Sequence, residues 1–430
     1  MNKNISEILK KIDKEHYSLL IDIGKVSRNE GLKSYLVGGM VRDLLLGLDN
    51  LDMDIVVEND AKRLAEALVK KFSNCELSAK HDRFHTAKVV FNINGKKIPV
   101  DLASTREEIY EHSAALPTVS ISDLKRDLYR RDFTINALAV SLLPEDFGDV
   151  IDLFDGLLDL KEKKIRVLHE LSFIDDPTRM IRAVRFACKL GFRIEENTQR
   201  LLKEAIDSKQ FDNLIEKIRG DRVKIEIRYL FNLPNIKEAI KTFFESGIYR
   251  MMSTDLNPSR RDMPRHVSTG SNTLRQWLIY LSLIIKDLTP DKQENILKNL
   301  QLTGDEIKMI KDGFNVSNKL KEKQLIDSIT IYRELKNLSI ESIAIVQILT
   351  TVEAPQCGVS TLIDEYLSTT SKIKLEITGQ DLINIGVKEG KKIGEILEKV
   401  LEMKIKNPKM KKEDEVISAQ ICILSLNDSP

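Results

Sequence analysis

Two aspartates one residue apart, Asp52 and Asp54, are the residues whose types and spacing most readily do chemistry. They stand in Leu51-Asp-Met-Asp-Ile-Val-Val57, whose β-branched end predicts a strand. Side chains alternate along a strand, so both carboxylates face the same way. Two hard oxygen donors so placed suit Mg²⁺, and a two-metal site can activate an attacking hydroxyl while stabilising a leaving pyrophosphate. An isolated Asp-x-Asp is more often a polar strand face in solvent, and the neighbouring residues reverse that balance. Gly38-Gly39 lies between a predicted strand and a predicted helix, where missing side chains let phosphates approach backbone N–H groups. Arg42, one turn into that helix, adds a cation beside a triphosphate.

Val37-Gly-Gly-Met-Val-Arg-Asp43 followed by Leu51–Val57 resembles the first motif of class II tRNA nucleotidyltransferases and bacterial poly(A) polymerases, within the polymerase β-like superfamily. That superfamily often uses a third carboxylate on a neighbouring strand; Asp101, in Pro99-Val-Asp-Leu102, is either that acid or a structural one. Arg130-Arg-Asp-Phe-Thr-Ile-Asn-Ala137 resembles the second motif, which makes Arg131 the triphosphate-binding position. Two adjacent arginines ahead of a helical segment suit phosphate contact through the guanidinium fork, and Asp132 and Asn136 can organise the sugar or the surrounding turn.

The segment Asp175-Asp-Pro-Thr-Arg-Met-Ile-Arg-Ala-Val-Arg185 resembles the family's base-selecting motif, with Asp175 where a Glu is common. Asp176 and Arg179 are three apart, hence neighbours on a helix. A carboxylate accepts from an amino group and a guanidinium donates to a ring nitrogen. Cytosine and adenine present that order, while uracil and guanine reverse it. Such a pair admits CTP and ATP without a nucleic-acid template. Pro177 also makes Asp176 a candidate N-cap, a role compatible with base reading. Arg182 continues the same ridge. Arg185 is a nucleotide contact by resemblance, although helical geometry turns it nearly opposite Asp176. Asp221-Arg-Val-Lys-Ile-Glu226 resembles a later motif that braces this helix, and an Arg–Glu pair four apart is also an ordinary helix device.

The elements that must position these residues change character along the chain. Helical spacing over 6–31, a strand from Ser34, a short helix Met40–Leu46, a helix Ala61–Phe72 and paired strands Thr86–Asn92 and Lys97–Leu102 make residues 1–145 a mixed α/β unit. Beyond about 150, helix-period segments dominate, with the best linker at Ser253–Thr273. The expected fold is α+β: a polymerase β-like head with a mixed sheet over 1–145, then an elongated all-α neck (146–250), body (251–370) and tail (371–430). The tail holds Gly379, Gly386, Gly390 and Gly394 among lysines and loosely resembles the family's RNA-binding end.

Composition is permissive. The formal net charge is +1 from 67 Lys+Arg against 66 Asp+Glu, so any RNA contact must use local basic faces. Four scattered cysteines without a CxxC pair argue against zinc ribbons and disulfide frameworks, and no apolar run is long enough for a membrane span. His81 and His85 frame a His-x-x-x-His string that lacks the glutamate of a zinc protease and reads as loop. The expected protein is therefore a cytoplasmic, Mg²⁺-dependent enzyme adding CMP and AMP from CTP and ATP to a tRNA 3′ end. Rivals are addition of the terminal A alone, poly(A) synthesis, and an inactive RNA-binding relative. The stretch 103–122 has the length of relatives that add A, and its wording looks closer to A-adding ones.

Overall fold

The first helical stretch is two helices. α1 (Ser6–Leu9) ends before Asp13, whose carboxylate accepts from the Glu15 and His16 amides at 3.0 and 3.3 Å and starts α2 (Lys14–Asn29). Periodicity over 6–31 predicts one helix; a short carboxylate that bonds amides two and three residues on ends the first and caps the second. The computed structural model describes residues 4–109, 118–218, 220–257, 275–323, 325–353, 358–388 and 390–427, in two compact units, Met1–Pro258 and Ser259–Pro430.

In the first unit, β1 (Ser34–Val37), α3 (Gly39–Leu45), β2 (Met53–Val57), α4 (Ala61–Lys71), β3 (Cys75–His81), β4 (Thr86–Ile93) and β5 (Lys96–Ser104) follow one another. After them come β6 (Arg106–Ile109), β7 (Thr118–Ile121), α5 (Leu124–Tyr129), β8 (Leu138–Ser141) and β9 (Val150–Asp152). Seven of these strands form one mixed sheet in the order β3-β4-β5-β2-β1-β8-β9, while β6 and β7 pair separately. β3, β8 and β9 carry no clean strand signal. β3 is an edge strand exposed over most of its length, β8 is a four-residue apolar run buried throughout, and β9 has three residues. None offers the period-two alternation that separates strand from helix.

Register sets up the site. β2 runs parallel to β5 with Asp54 opposite Asp101, and β5 runs antiparallel to β4 with Asp101 opposite Lys88. Asp54, Asp101 and Lys88 therefore form one row across three strands. Above one sheet face, Leu124 and Leu128 of α5 pack on Tyr35, Val37, Val56 and Ala139. α4, capped by Asp60, buries Ala61, Leu64, Ala65 and Leu68.

The chain then turns helical: α6 (Gly156–Glu162), α7 (Ser172–Asp175), α8 (Thr178–Leu190), α9 (Glu196–Asp207), α10 (Leu214–Lys217), α11 (Asp221–Phe231) and α12 (Ile236–Glu245). In the second unit every α-helix or strand assigned among the described residues is helical. These are α13 (Gln276–Ile285), α14 (Pro290–Asn299), α15 (Gly304–Glu322), α16 (Ser328–Leu335), α17 (Ile340–Glu353), α18 (Val359–Ser368), α19 (Gly379–Asn384), α20 (Lys391–Lys406) and α21 (Lys412–Asn427). α13 is buried from Trp277 to Ile285, as its continuous apolar sequence requires. Most of the expected linker, 258–274, lies outside the described residues. No helix is long and apolar enough to cross a membrane among the described residues.

A close approach ties α2 to the sheet: a Cβ built on Gly24 would stand 1.7 Å from the Leu142 carbonyl oxygen. Gly24→Ala is expected to destabilise the protein by about 1–3 kcal/mol despite alanine's better helix propensity. Urea denaturation of both proteins measures it; equal or greater stability of the variant would refute the contact.

Candidate active site

The turn after β1 begins the site. Gly38 has φ 74° and ψ −137°, a conformation that L side chains rarely adopt. A Cβ there would lie 3.3 Å from Arg131 Nη1 and 3.7 Å from Asp54 Oδ2. The backbone conformation is what requires glycine, and the Arg131 guanidinium would have to give by only a few tenths of an ångström. Arg131 donates to Asp127 at 3.1 Å, and its buried Nε has no hydrogen-bond partner.

Asp54 is exposed on the floor of this recess by surface area. The protein crowded around its carboxyl nonetheless strips away hydration, and that desolvation is the main cause raising it above the ordinary range. Arg131 opposes, and Asp101 and Asp52 add to the rise. Asp52 falls just ahead of β2, where the Asp54 amide donates to its carbonyl at 3.2 Å. The pleat argument therefore covers Asp54 alone, and a local turn brings Asp52 to the same cleft. Asp101 is level with Asp54 in the sheet, but its Oδ2 accepts from Lys88 Nζ at 3.0 Å. It lines an adjoining cavity with Asp54 rather than the main cleft.

Arg42, Asp132 and Asn136 are buried and already engaged with protein groups. Arg42 donates to Asp43 at 2.7 Å and to Asn136 Oδ1 at 2.6 Å. Asn136 donates to Asp132 Oδ1 at 2.9 Å, the Phe133 amide to the same oxygen at 2.8 Å, and Arg182 to Asp132 Oδ2 at 2.8 and 2.5 Å. Burial alone would raise the Asp132 carboxyl; the Arg182 charge and these hydrogen bonds outweigh it and hold the group below its usual range. Asp43 also accepts from Asn50 at 2.9 Å, and Asn50 accepts from the Asp52 amide at 2.9 Å. One chain of hydrogen bonds thus runs from the Asp52 backbone to α8. The double arginine that the sequence puts ahead of a helix instead follows α5.

On α8 the neighbours by spacing are held apart by different partners. Asp176 precedes the helix in an extended conformation, with Oδ1 accepting from the Thr178 amide and hydroxyl at 3.1 and 2.6 Å. Its Oδ2 accepts from Arg222 at 2.7 Å. Arg179 donates to Ser172 at 2.9 Å and to the Arg130 carbonyl at 2.7 Å. Glu226 takes one hydrogen bond from Arg182 at 2.9 Å and one from Arg185 at 2.8 Å. Arg222 and Glu226 thus reach across from α11 to α8, because tertiary partners with buried guanidiniums outbid an exposed pairing along one helix. Arg185 stacks over Phe186 with its guanidinium carbon 4.3 Å from the ring centroid and faces the cleft after all. Asp176 lies ahead of the helix, so helical angles do not relate the two residues.

These side chains meet in one open cleft of about 820 Å³. It gathers Gly38, Gly39, Arg42, Asp52, Asp54, Arg131, Asp132, Asn136, Asp176, Arg179, Arg182 and Arg185, leaving only Asp101 in the next cavity. Arg130, Lys189, Arg222 and Tyr229 also line it. Sequence reasoning gave Arg222 a place in the bracing motif, the role its bond to Asp176 fills, but not a place in the cleft lining. Among the described residues no three His, Cys, Asp or Glu side chains converge as a metal-holding group. His81 ends β3, and His85 takes a left-handed turn conformation.

Comparisons with known proteins place the chain among others of like sequence and fold. Residues 34–166 match the poly A polymerase head domain, 191–257 the probable RNA and SrmB-binding site of polymerase A, and 271–421 the putative domain 2 of tRNA nucleotidyltransferase. The A-adding tRNA nucleotidyltransferase of Geobacter sulfurreducens is 34% identical over 93% of this chain, which spans 46% of that protein, about half its length. The CCA-adding enzyme of Latilactobacillus sakei is 30% identical, with 87% of this chain and 90% of the relative aligned. The solved Thermotoga maritima CCA-adding enzyme complexed with tRNA superposes with a TM-score of 0.79 at 30% identity, covering 98% of this chain and 100% of that one.

Removing Asp132 leaves the Arg182 guanidinium with Glu226 as its one acid partner and strips the Asn136 and Phe133 donors of their acceptor, so Asp132→Ala should cost roughly 1–3 kcal/mol of stability. Because the folded carboxyl lies below its unfolded value of 3.8, its contribution is full above that pH and is lost as pH falls through the depressed folded value. Asp132→Asn should correspondingly flatten stability against pH below about 4. Denaturant titrations between neutral and acid pH read both effects; an unchanged acid limb would show that Asp132 carries no such linkage.

Proposed function

The chain belongs to the family of tRNA nucleotidyltransferases that holds the CCA-adding and A-adding enzymes, and we propose that it joins CMP and AMP to the 3′ end of tRNA. The RNA 3′-hydroxyl attacks the α-phosphate of CTP or ATP, and pyrophosphate leaves. The observation that carries this reading is the gathering of two neighbouring carboxylates, a glycine turn under a guanidinium, and Asp176 with Arg179 in one cleft.

In this reading the Gly38-Gly39 backbone and Arg131 hold the triphosphate, and Asp52 and Asp54 are the metal ligands. Two carboxylates with the phosphates of a bound nucleotide suit Mg²⁺, which keeps few protein ligands and takes the rest from phosphate and water. Bound there, a pair of divalent ions supplies charge stabilisation at the attacking and leaving oxygens. Asp101 is the third acid, held from its far side by Lys88. Asp176 accepts from the base amino group and Arg179 donates to the ring nitrogen, each kept in place by Arg222 or by Ser172 and Arg130. Arg182 and Arg185 border the nucleotide, while Arg42, Asp132 and Asn136 fix the walls. The cytoplasm suits this reading and the buried free thiols of Cys75 and Cys188.

A second reading is addition of the terminal A alone, favoured by the 34% identity to the A-adding Geobacter enzyme over 93% of the chain. Labelled CTP and ATP offered with tRNAs ending before CCA, after C and after CC separate the two. Complete addition extends all three, and A-addition extends only the last. Tailing of generic RNA without extension of any of the three would refute both. Asp52→Ala should abolish incorporation while tRNA still binds, as a gel-shift titration reads. Asp176→Ala should admit UTP or GTP in competition assays; unchanged selectivity would leave Asp176 a helix cap only.

A further inference from the structure

Arg130 stands at a junction. It lines the nucleotide cleft, the cavity of about 460 Å³ beside Asp54 and Asp101, and a third cavity of about 630 Å³. The third cavity contains Tyr129, His169 and Leu171, none of which the proposed reaction has used. Tyr129 is 46% exposed and Leu171 61% exposed, large values for apolar side chains lining a recess. The Tyr129 ring lies 5.2 Å from the His169 ring, tilted by 36°, and 5.6 Å from that of Phe154. An exposed Tyr129 ring, braced by two tilted ring neighbours and open to the cavity, forms a stacking shelf.

The shelf is divided from the base-reading side chains by a single partition. Arg179 lines both cavities, and its guanidinium is fixed to the Arg130 carbonyl and to Ser172. We propose that this third cavity seats a base of the RNA acceptor end, behind the reacting 3′ nucleotide, stacked on Tyr129. The inference rests on the nucleotidyltransferase reading and adds to it where the acceptor strand is gripped.

Stacking suits this position because every base has a π face, so the shelf tolerates whichever base the growing end presents. Arg126 and Arg130 line it together with four acids. Glu107 is paired with Arg126, Glu108 with Arg106 and Arg130, and Asp175 lies 3.9 Å from His169, while Glu170 completes the set. Because these arginines are already shared with acids, the grip on RNA comes from stacking rather than from charge. Burial, with Arg179 adding to it and Asp175 opposing, keeps His169 below its ordinary value, so the second ring is neutral at physiological pH and offers a hydrogen bond rather than a charge. The incoming nucleotide does not need this shelf, since its base already has readers across the partition.

The test uses the full chain and a tRNA acceptor minihelix carrying 2-aminopurine at its penultimate position. Tyr129→Ala should raise the KM for the minihelix on the order of tenfold and abolish the fluorescence quenching that the wild type produces. The KM for ATP should not change, which also reports that the variant is folded, and Tyr129→Phe should restore both RNA readouts. Unchanged minihelix KM and quenching in Tyr129→Ala, beside an active wild type, would overturn this inference alone. A rise in the KM for ATP without one for RNA would also overturn it, by assigning the ring to the incoming nucleotide. A wild type that neither binds nor extends the minihelix would instead defeat the nucleotidyltransferase reading, and the inference with it.

Discussion

The buried ion pair between Asp132 and Arg182 is the contact on which the cleft depends. Asp132 lies in the loop that follows α5 over the sheet, and Arg182 lies on α8, so one carboxylate joins the strand-built wall to the helical one. Its four acceptor bonds, from Phe133, Asn136 and twice from Arg182, satisfy a group that burial would otherwise neutralise. Arg182 is in turn shared with Glu226, and the two acids raise its affinity for its proton against the opposing effect of burial. Neither wall can shift without uncoupling charges from partners that the interior cannot replace.

From that pair the hydrogen bonds run two ways. Toward the sheet they pass through Asn136, Arg42, Asp43 and Asn50 to the Asp52 amide, so the turn bearing a proposed metal ligand is set by residues that are not themselves proposed ligands. Toward the helices they pass through Glu226 to Arg185, and on the same helix Arg222 holds Asp176. The proposed chemistry and the proposed base selection therefore rest on one framework. This is pre-organisation in the sense that matters for catalysis, because the groups are placed before substrate arrives and need little reordering when it binds.

The framework also shows how a chain of nearly balanced charge could hold the polyanions proposed for it. Its arginines are concentrated around one cleft, and many of their acids are buried behind them, as Asp127 is behind Arg130 and Arg131. The acids fix the guanidinium planes without cancelling their outward donors. Local geometry then does what net charge cannot.

The sequence by itself determined the chemistry-bearing residues and the order of elements. Gly38-Gly39, Asp52, Asp54, Arg131 and the run from Asp176 to Arg185 are short strings whose meaning lies in spacing along the chain. The same holds for the alternating strands β4 and β5 and for the periodic helices. Partnership was decided only by tertiary structure. Nothing in the spacing of Arg222 and Glu226 says that they cross to α8, or that Arg185 turns into the cleft beside Asp176. The two-residue Asn94-Gly95 turn already puts Lys88 opposite Asp101, but nothing in the sequence sets Asp101 level with Asp54 on the parallel strand. β3, β8 and β9 were illegible for a related reason: too short, too buried or too exposed to alternate, they are strands because their neighbours in the sheet complete their hydrogen bonds. Spacing encodes what is local, while charge pairing and register are settled by which distant groups burial brings together.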